Sequence, residues 1–280
     1  MNRLLERLLR KYLNIHSEEE IPKELNKFIM SCNIAFDDLI IQRARAQHSL
    51  ALVSDELLEK NEEIEKNKDK IEKLLFNILP HTIIDRVLNQ EKVIADTVSN
   101  TDIMFADIAN FTKISTKIGV AQTVSFLNEV FTQFDTIIYK HNIKKVKTVG
   151  DCYMASTRLV EQEEKCHIDN IIYSSQEMIR QFLQVCHTYD INTKLRIGVN
   201  SGPVIAGVIG QSIFSYDLWG NTVNIASRME KTGIGNSIQV TKKTYKLLSK
   251  EIQKQFKARG HTQIKGKGKI YTYLNKVKLL

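Results

Sequence analysis

The sequence predicts an α+β protein with a largely antiparallel sheet, preceded by a long helical segment. Residues 23–79 contain neither proline nor glycine and consist mostly of strong helix formers. After about residue 93, short apolar runs of strand type mix with amphipathic helical segments. Because strands and helices do not alternate strictly, the pattern favours α+β packing over a parallel βαβ arrangement.

Composition limits the classes of protein that fit. The 280 residues leave room for one ordinary domain and an extension, and the net charge of +8 suits an anionic partner. That partner is a nucleotide, a nucleic acid or a membrane surface, and charge alone does not choose among them. The four cysteines form no C-x-x-C pair, and a charged segment follows Met1, so we expect reduced thiols in a cytoplasmic protein.

No transmembrane segment is expected from hydropathy. The longest uncharged run, residues 197–216, contains Asn200, Ser201 and Pro203 together with several glycines. Those residues are typical of a strand, a turn and a second strand, and they are unsuited to a membrane span.

The helical segment carries a heptad repeat. Leu50, Leu57, Ile64, Ile71 and Ile78 recur every seven residues, whereas Asn61 and Lys68 occupy the second apolar position of the heptad. We predict a marginal parallel coiled-coil stalk over residues 49–80, in preference to a single solvated helix, with Pro80 ending or kinking it. Residues 1–48 form a helical region of unknown role, through which an upstream sensor or regulatory partner could act.

The remaining residues, 92–278, are predicted to form one catalytic domain. Strands are expected at 101–106, 144–149, 152–156, 195–200, 204–209, 237–240 and 270–274. Helices are expected at 120–141, 167–187, 221–231 and 241–250. The segment Ser201-Gly202-Pro203 is interpreted as a turn between two of the strands.

Two aspartates follow strand-type runs and indicate the chemistry. Asp107 ends the first run, and Asp151 lies in the Gly150-Asp151 turn of a predicted hairpin. Paired carboxylates without nearby Cys or His suit the hard cations Mg²⁺ or Mn²⁺, and two such ions are a standard means of phosphoryl transfer. Each aspartate taken alone would more simply end a strand or cap a helix.

Several segments, read together, resemble the catalytic domain of class III nucleotidyl cyclases. The resemblance spans about residues 74–275 and lies in a stalk junction (76–80), two metal motifs (105–112 and 145–154), a phosphate-binding strand (195–202), a purine and transition-state motif (217–229) and a lysine loop (264–268). It implies a ferredoxin-like βαββαβ core with additions. It also implies a head-to-tail homodimer with its active sites at the interface.

The resemblance assigns the metal and phosphate ligands. Asp107, Asp151 and the Ile108 carbonyl would hold two ions, either Mg²⁺ or Mn²⁺. Backbone N–H groups of Phe111 and Thr112 would bind phosphate at a helix start. Asn110 stands where the family usually has glycine, and asparagine enters the left-handed conformation more readily than most residues.

The remaining assignments concern the sugar and the triphosphate. Arg196 and Lys265 would contact phosphate, Asn224 would position the ribose, and Arg228 would stabilise transition-state charge. Without the resemblance, Arg196 could equally be an edge residue or an ion-pair partner. Lys265 with its neighbours could equally be a solvated charge run or a nucleic-acid patch.

Two positions would read the purine base. Lys147, expected to share a strand face with Lys145, can donate to a ring nitrogen, and Asp217 can accept from the 6-amino group of adenine. Guanine presents the opposite pattern, and the family's guanine-selective sites have Glu and typically Cys at these positions. The resemblance therefore implies an adenine-selective site.

The sequence thus predicts a homodimeric adenylate cyclase. It would convert ATP to 3′,5′-cyclic AMP and pyrophosphate by in-line attack of the 3′-oxygen on the α-phosphorus. Alternatives are a guanylate cyclase and a catalytically silent signalling or dimerisation module. An RNA-binding role is disfavoured because the aromatic-rich strand signature is missing. One chain would supply Asp107, Asp151 and Arg196 to each site, and the other chain Lys147, Asp217, Asn224, Arg228 and Lys265.

Overall fold

The computed structural model describes residues 1–76, 81–89, 91, 94–161, 163, 166–210 and 215–277. Residues 73–76, 81 and 82 are described by their backbone alone. The chain divides into two compact units, Met1–Leu75 and Phe76–Leu280.

The first unit is helical. Helix α1 (Arg3–Leu13) is capped by the Asn2 side chain, which accepts a hydrogen bond from the Leu4 N–H at 3.0 Å. Helix α2 (Asn26–Phe76) follows a short 3₁₀ turn at Glu18–Glu20. The long helix confirms the helical prediction. It runs through residues 48 and 49 without a break, so the division of function at that point stays a prediction.

The heptad side chains of α2 face solvent in the single chain. Leu50 is 72% exposed, Leu57 59%, Ile64 61% and Ile71 57%. Such a stripe buries nothing within its own unit, and a second chain packed along it would bury it. The dimeric stalk therefore remains a prediction. Ile78, Pro80 and most of the predicted junction lie outside the described residues.

The second unit is built on a sheet. Its described strands are β1 (Ile94–Ile108), β2 (Lys144–Val149), β3 (Cys152–Ser156), β4 (Leu195–Ile209), β5 (Ser215–Trp219), β6 (Ser237–Thr241), β7 (Lys257–Ile264) and β8 (Gly268–Lys276). Its described helices are α3 (His81–Leu88), α4 (Phe111–Ile118), α5 (Val120–Lys140), α6 (Ile168–Thr188), α7 (Asn221–Lys231), α8 (Lys242–Leu247) and α9 (Lys250–Gln253).

The order of the strands identifies the fold. The sheet runs β2-β3-β1-β4-β6-β8-β7, and β5 pairs with β4. Strand pairs among the described residues are antiparallel except for β4 with β6, which is parallel. Taken along the chain, β1, α5, β2, β3, α6 and β4 make a ferredoxin-like βαββαβ unit, to which the later elements are added. The predicted fold class is confirmed.

The main core lies between this sheet and helices α5 and α6. Phe126 and Phe134 on α5 and Phe182 on α6 are at most 1% exposed, and Tyr153 on β3 is fully buried among them. Phe134 meets Tyr153 edge-to-face with ring centroids 5.5 Å apart. The aromatic side chains bind both helices to the strands that carry the predicted metal motifs.

The predicted turn at Ser201-Gly202-Pro203 is wrong. Residues 195–209 form one continuous strand, β4, which pairs with β1 over its length. Pro203 has no N–H to donate, but it lies where the pairing with β1 shifts register between Val98 and Thr101. The irregularity is thus on β1, and β4 can continue through a glycine and a proline.

Other boundaries also differ from the prediction. Strand β1 begins at Ile94, seven residues before the predicted 101. The helix predicted over 241–250 is replaced by α8 and the start of α9, because Leu248 is extended and Ser249 caps α9. The sequence reasoning missed β5 and the edge strand β7, which is mostly exposed and polar. Across the described part of the chain, no helix combines the length and apolarity that a membrane span requires.

Candidate active site

The two aspartates converge at one end of the central strands. Asp107 is the penultimate residue of β1, where its Cα neighbours are Cys152 on β3 and Arg196 on β4. Asp151 lies in the tight β2–β3 turn beside Cys152, after Gly150 with a φ of 61°. Antiparallel pairing of β1 with β3 therefore brings the Asp151 turn next to Asp107 and Ile108, as the sequence predicts.

The two carboxylates influence each other electrostatically. Burial raises the pKa of Asp151, and the Asp107 carboxylate raises it further. Backbone N–H groups of Asp151 and Ile108 and the Arg196 guanidinium act in the opposite direction. A bound cation would relieve this repulsion, so the oxygen donors present fit a hard divalent ion. The described residues contain no group of three or more His, Cys, Asp or Glu side chains placed to hold a metal.

Arg196 lies between two carboxylates. Its Nη2 donates to Asp107 Oδ2, and its Nε is 3.0 Å from Glu230 Oε1. The second contact is an ion pair by distance, but its orientation is not that of a hydrogen bond. Burial, followed by Asp107, raises the pKa of Glu230 to about 7. Sequence reasoning missed Glu230, although it directly follows the Ser227-Arg228-Met229 segment of the transition-state motif.

The predicted phosphate turn follows β1. Asn110 adopts the left-handed conformation with φ 59° and ψ 29°, and α4 begins at Phe111. Asparagine thus supplies the geometry for which the family commonly uses glycine. Ala109 is held on both sides, because its N–H donates to the Lys194 carbonyl at 2.8 Å and its carbonyl accepts from Thr193 Oγ1 at 2.6 Å. The N–H groups of Phe111 and Thr112 lie at the helix start, where an anion can bind.

The two predicted base-reading residues contact each other. Lys147 Nζ on β2 donates to Asp217 Oδ2 on β5, and Asp217 Oδ1 accepts from the Leu218 N–H at 2.8 Å. The Asp217 side chain is 13% exposed and that of Lys147 39%. Lys145 instead reaches Asp135 on α5 at 2.8 Å, because a register shift between Lys145 and Lys147 interrupts the two-residue repeat. Although the two lysines are predicted to share a strand face, they therefore have different partners, Asp135 for Lys145 and Asp217 for Lys147.

The remaining predicted residues make no polar side-chain contact with either group among the described residues. Asn224 is exposed and Arg228 is half-buried on α7, and Lys265 is exposed in the β7–β8 turn. Within the part of the chain that is described, no side-chain hydrogen bond or ion pair links Asn224, Arg228 or Lys265 to Asp107, Asp151 or Lys147. One chain therefore brings Asp107, Asp151 and Arg196 together, and separately Lys147 and Asp217.

The fold and these residues define a class of enzyme. The model of the adenylate and guanylate cyclase catalytic domain family matches residues 93–276. The chain belongs to this family and contains a class III nucleotidyl cyclase catalytic domain.

Named relatives place it within the family. Receptor-type guanylate cyclase gcy-1 of Caenorhabditis elegans is 35% identical over 229 residues, which cover 79% of this chain and 20% of that protein. Retinal guanylyl cyclase 1 of Rattus norvegicus is 35% identical over 224 residues, with the same coverage of 79% and 20%. The chain thus spans about a fifth of the length of these curated relatives.

Solved structures agree on the fold. The catalytic core of a rhodopsin-guanylyl cyclase with converted specificity, in complex with ATPαS, is 32% identical with a TM-score of 0.58, covering 66% of this chain and 98% of that one. A bacterial light-regulated adenylyl cyclase has a TM-score of 0.60 at 23% identity, covering 80% and 66%, and its likeness is one of fold alone.

Proposed function

We propose that this domain converts ATP to 3′,5′-cyclic AMP and pyrophosphate. The observation that carries the proposal is the contact between Lys147 and Asp217, which places one donor and one acceptor beside each other at a half-buried position. Adenine offers an acceptor at a ring nitrogen and a donor at its 6-amino group, so the pair can match it. Guanine would meet donor with donor and acceptor with acceptor.

The other residues have roles that follow from their chemistry. The N–H groups of Phe111 and Thr112, the Arg196 guanidinium and the Lys265 ammonium would bind phosphate oxygens. Divalent Mg²⁺ or Mn²⁺, held by Asp107, Asp151 and the Ile108 carbonyl, would lower the pKa of the ribose 3′-hydroxyl and offset phosphate charge when bound.

Two residues of α7 would act at the reacting atoms. Asn224 would orient the ribose so that its 3′-oxygen is in line with the α-phosphorus and the leaving pyrophosphate. Arg228 would stabilise the charge that develops on the phosphoryl oxygens in the transition state, and so would raise kcat more than affinity.

A homodimer would complete each site. Among the described residues of one chain, no hydrogen bond or ion pair joins the group of Asp107, Asp151 and Arg196 to Asn224, Arg228 or Lys265, and this supports the arrangement. One chain would supply the metal carboxylates, and its partner the base-reading pair with α7 and the lysine loop. Two equivalent sites would result, since each chain carries both sets of residues.

Guanylate cyclase activity is the second candidate. The named relatives that are about 35% identical are guanylate cyclases, and by similarity alone they favour this alternative over ATP. Lys147 and Asp217 oppose it, because they invert the hydrogen-bonding pattern that guanine requires. The rhodopsin-guanylyl cyclase core with converted specificity was solved with ATPαS, which supports the idea that a similar core can accept an adenine nucleotide.

The test compares ATP with GTP for the purified protein. With Mn²⁺ or Mg²⁺ present, wild type should prefer ATP in kcat/KM by tens-fold or more, since each mismatched buried polar pair costs about 1–3 kcal/mol. The double variant Lys147→Glu, Asp217→Cys should shift the ratio toward GTP. Lys145→Glu is the matched control, because Lys145 contacts Asp135 and should leave the ratio unchanged.

The outcomes separate the candidates. A wild-type preference for GTP would establish the guanylate cyclase and reject the adenine assignment. Absence of cyclic product from both nucleotides would instead support the signalling module.

A further inference from the structure

Glu230 is a buried carboxylate to which the roles proposed above assign no task. It is 2% exposed, lies on α7 two residues after Arg228, and is close to Asp107, Arg196 and Lys231. Its Oε1 accepts no hydrogen bond from the described residues. Burying an incompletely satisfied carboxylate is costly, so its position here requires a reason beyond packing.

Close packing of α7 on β4 sets where Glu230 lies. A Cβ added at Gly198 would come within 2.0 Å of the Glu230 backbone nitrogen and within 2.6 Å of the Met229 carbonyl carbon. Only glycine permits this approach of helix to strand. Arg196 is two residues before Gly198 and so points to the same face of β4. The Glu230 carboxylate is therefore held against the Arg196 guanidinium.

Arg196 needs a second anchor if both proposed ligand roles hold. In its contact with Asp107, a cation proposed to bind phosphate is paired with an anion proposed to bind metal. While the two are paired, each lowers the affinity of the other for its own ligand. Once Asp107 turns to a divalent ion, Arg196 would lose its only hydrogen-bonded carboxylate in the described structure. With a second carboxylate at its Nε, Arg196 would keep its terminal nitrogens for phosphate oxygens.

We propose that Glu230 is a positioning residue that holds Arg196 at its Nε and so keeps Asp107 available for a cation. It touches neither substrate nor metal and acts through Arg196. The inference rests on the proposed phosphate and metal roles of Arg196 and Asp107. It does not depend on which purine base the enzyme uses.

The test begins with Glu230→Gln, which keeps size and shape but removes the charge. Arg196 should then pair more fully with Asp107, so the Mn²⁺ concentration for half-maximal binding should rise about tenfold or more, as is typical when a partner outside the direct ligands is lost. The readout is equilibrium binding of ATPαS at a series of Mn²⁺ concentrations, which requires no turnover. Glu177→Gln is the control, because Glu177 pairs with Lys140 and His141 on the surface.

A double-mutant cycle shows whether Glu230 acts through Arg196. If it does, Glu230→Gln should leave the Mn²⁺ dependence of Arg196→Ala nearly unchanged, because no guanidinium remains to pair with Asp107. If Glu230→Gln raises the Mn²⁺ requirement as much in Arg196→Ala as in wild type, Glu230 does not act through Arg196 and the proposal is overturned. A wild-type Mn²⁺ dependence in Glu230→Gln would overturn it as well, and so would a lower melting temperature with unchanged binding per folded molecule.

Failure of the proposed function is recognised separately. The titration can be read with either ATPαS or a GTP analogue, whichever wild type binds. A wild type that makes no cyclic AMP would therefore reject the adenylate assignment and still allow the Glu230 cycle to be measured.

Discussion

The long helix α2 and the sheet unit differ in how far their apolar side chains are buried. Phe126, Phe134 and Phe182 are at most 1% exposed in the sheet unit, whereas Leu57 and Ile64 on α2 are 59% and 61% exposed. The sheet unit buries its core within one chain. The helix carries a regular apolar stripe with nothing of its own unit to cover it.

This difference separates what each region can do alone. Asp107 and Arg196 lie on paired strands and Asp151 in the tight turn between two of them, so backbone hydrogen bonds and the core behind them set their geometry. The heptad stripe of α2 has no such packing within its unit, and the predicted stalk would need a second chain to cover it.

The largest effect should come from the core. Phe182→Ala removes a fully buried ring from α6 that packs against Phe126, and it should lower the free energy of unfolding by about 3–5 kcal/mol. Leu57→Ala on α2 is the matched change in the helix and should leave the unfolding of a dilute monomer nearly unaltered. Chemical denaturation followed by circular dichroism checks both. Equal losses in the free energy of unfolding for the two variants would show that the two regions do not differ in this way.

Gly198→Ala should be the next largest. The added methyl would overlap the backbone of α7, which cannot move as a side chain can, so a loss of about 3 kcal/mol is expected. Catalysis should fall more than stability alone explains, because α7 carries Asn224 and Arg228. Activity measured per folded molecule tests this, with the core variant Phe182→Ala as a control of comparable destabilisation. Full activity in the folded fraction would contradict it.

Stalk variants should sharpen the comparison by changing association without changing folding. Leu57→Asn together with Ile64→Asn places polar groups in the heptad stripe, which should weaken dimerisation and make activity fall on dilution. Analytical ultracentrifugation and rate against protein concentration are the measurements. Lys60→Asn, outside the stripe, is the control. Unchanged dilution behaviour would show that the stalk is not coupled to catalysis.

The smallest effect concerns a surface ion pair of the sheet unit. Hydrogen bonds from His141 and Lys140 lower the pKa of Glu177, so its contribution to stability is present at pH above its unfolded pKa of 4.5 and is lost as pH falls through the lower folded pKa. Glu177→Gln should therefore cost about 0.5 kcal/mol at pH 7, with the difference shrinking in acid. Thermal melts at several pH values would show it. A constant difference would assign the effect to packing.

Periodicity and turn chemistry determined much of the architecture in advance. The helix over α2, the span of α5, the β2–β3 hairpin around Gly150-Asp151 and the limits of α7 follow from local pattern, because each depends on neighbours within a few residues. The site residues came from a resemblance to known motifs, and the structure brings Asp107 to Asp151 and Lys147 to Asp217 as that resemblance implies.

Tertiary structure decided what depends on distant partners. Ser201-Gly202-Pro203 indicates a turn by itself, but pairing with β1 keeps β4 extended and moves the irregularity to the opposite strand. Edge strand β7 is polar because it covers no core, so no hydrophobic pattern marks it. Glu230 looks like a solvated helix residue in the sequence. The packing of α7 on Gly198 buries Glu230 beside Arg196. This contact joins residues 32 positions apart along the chain, so no local pattern in the sequence indicates it.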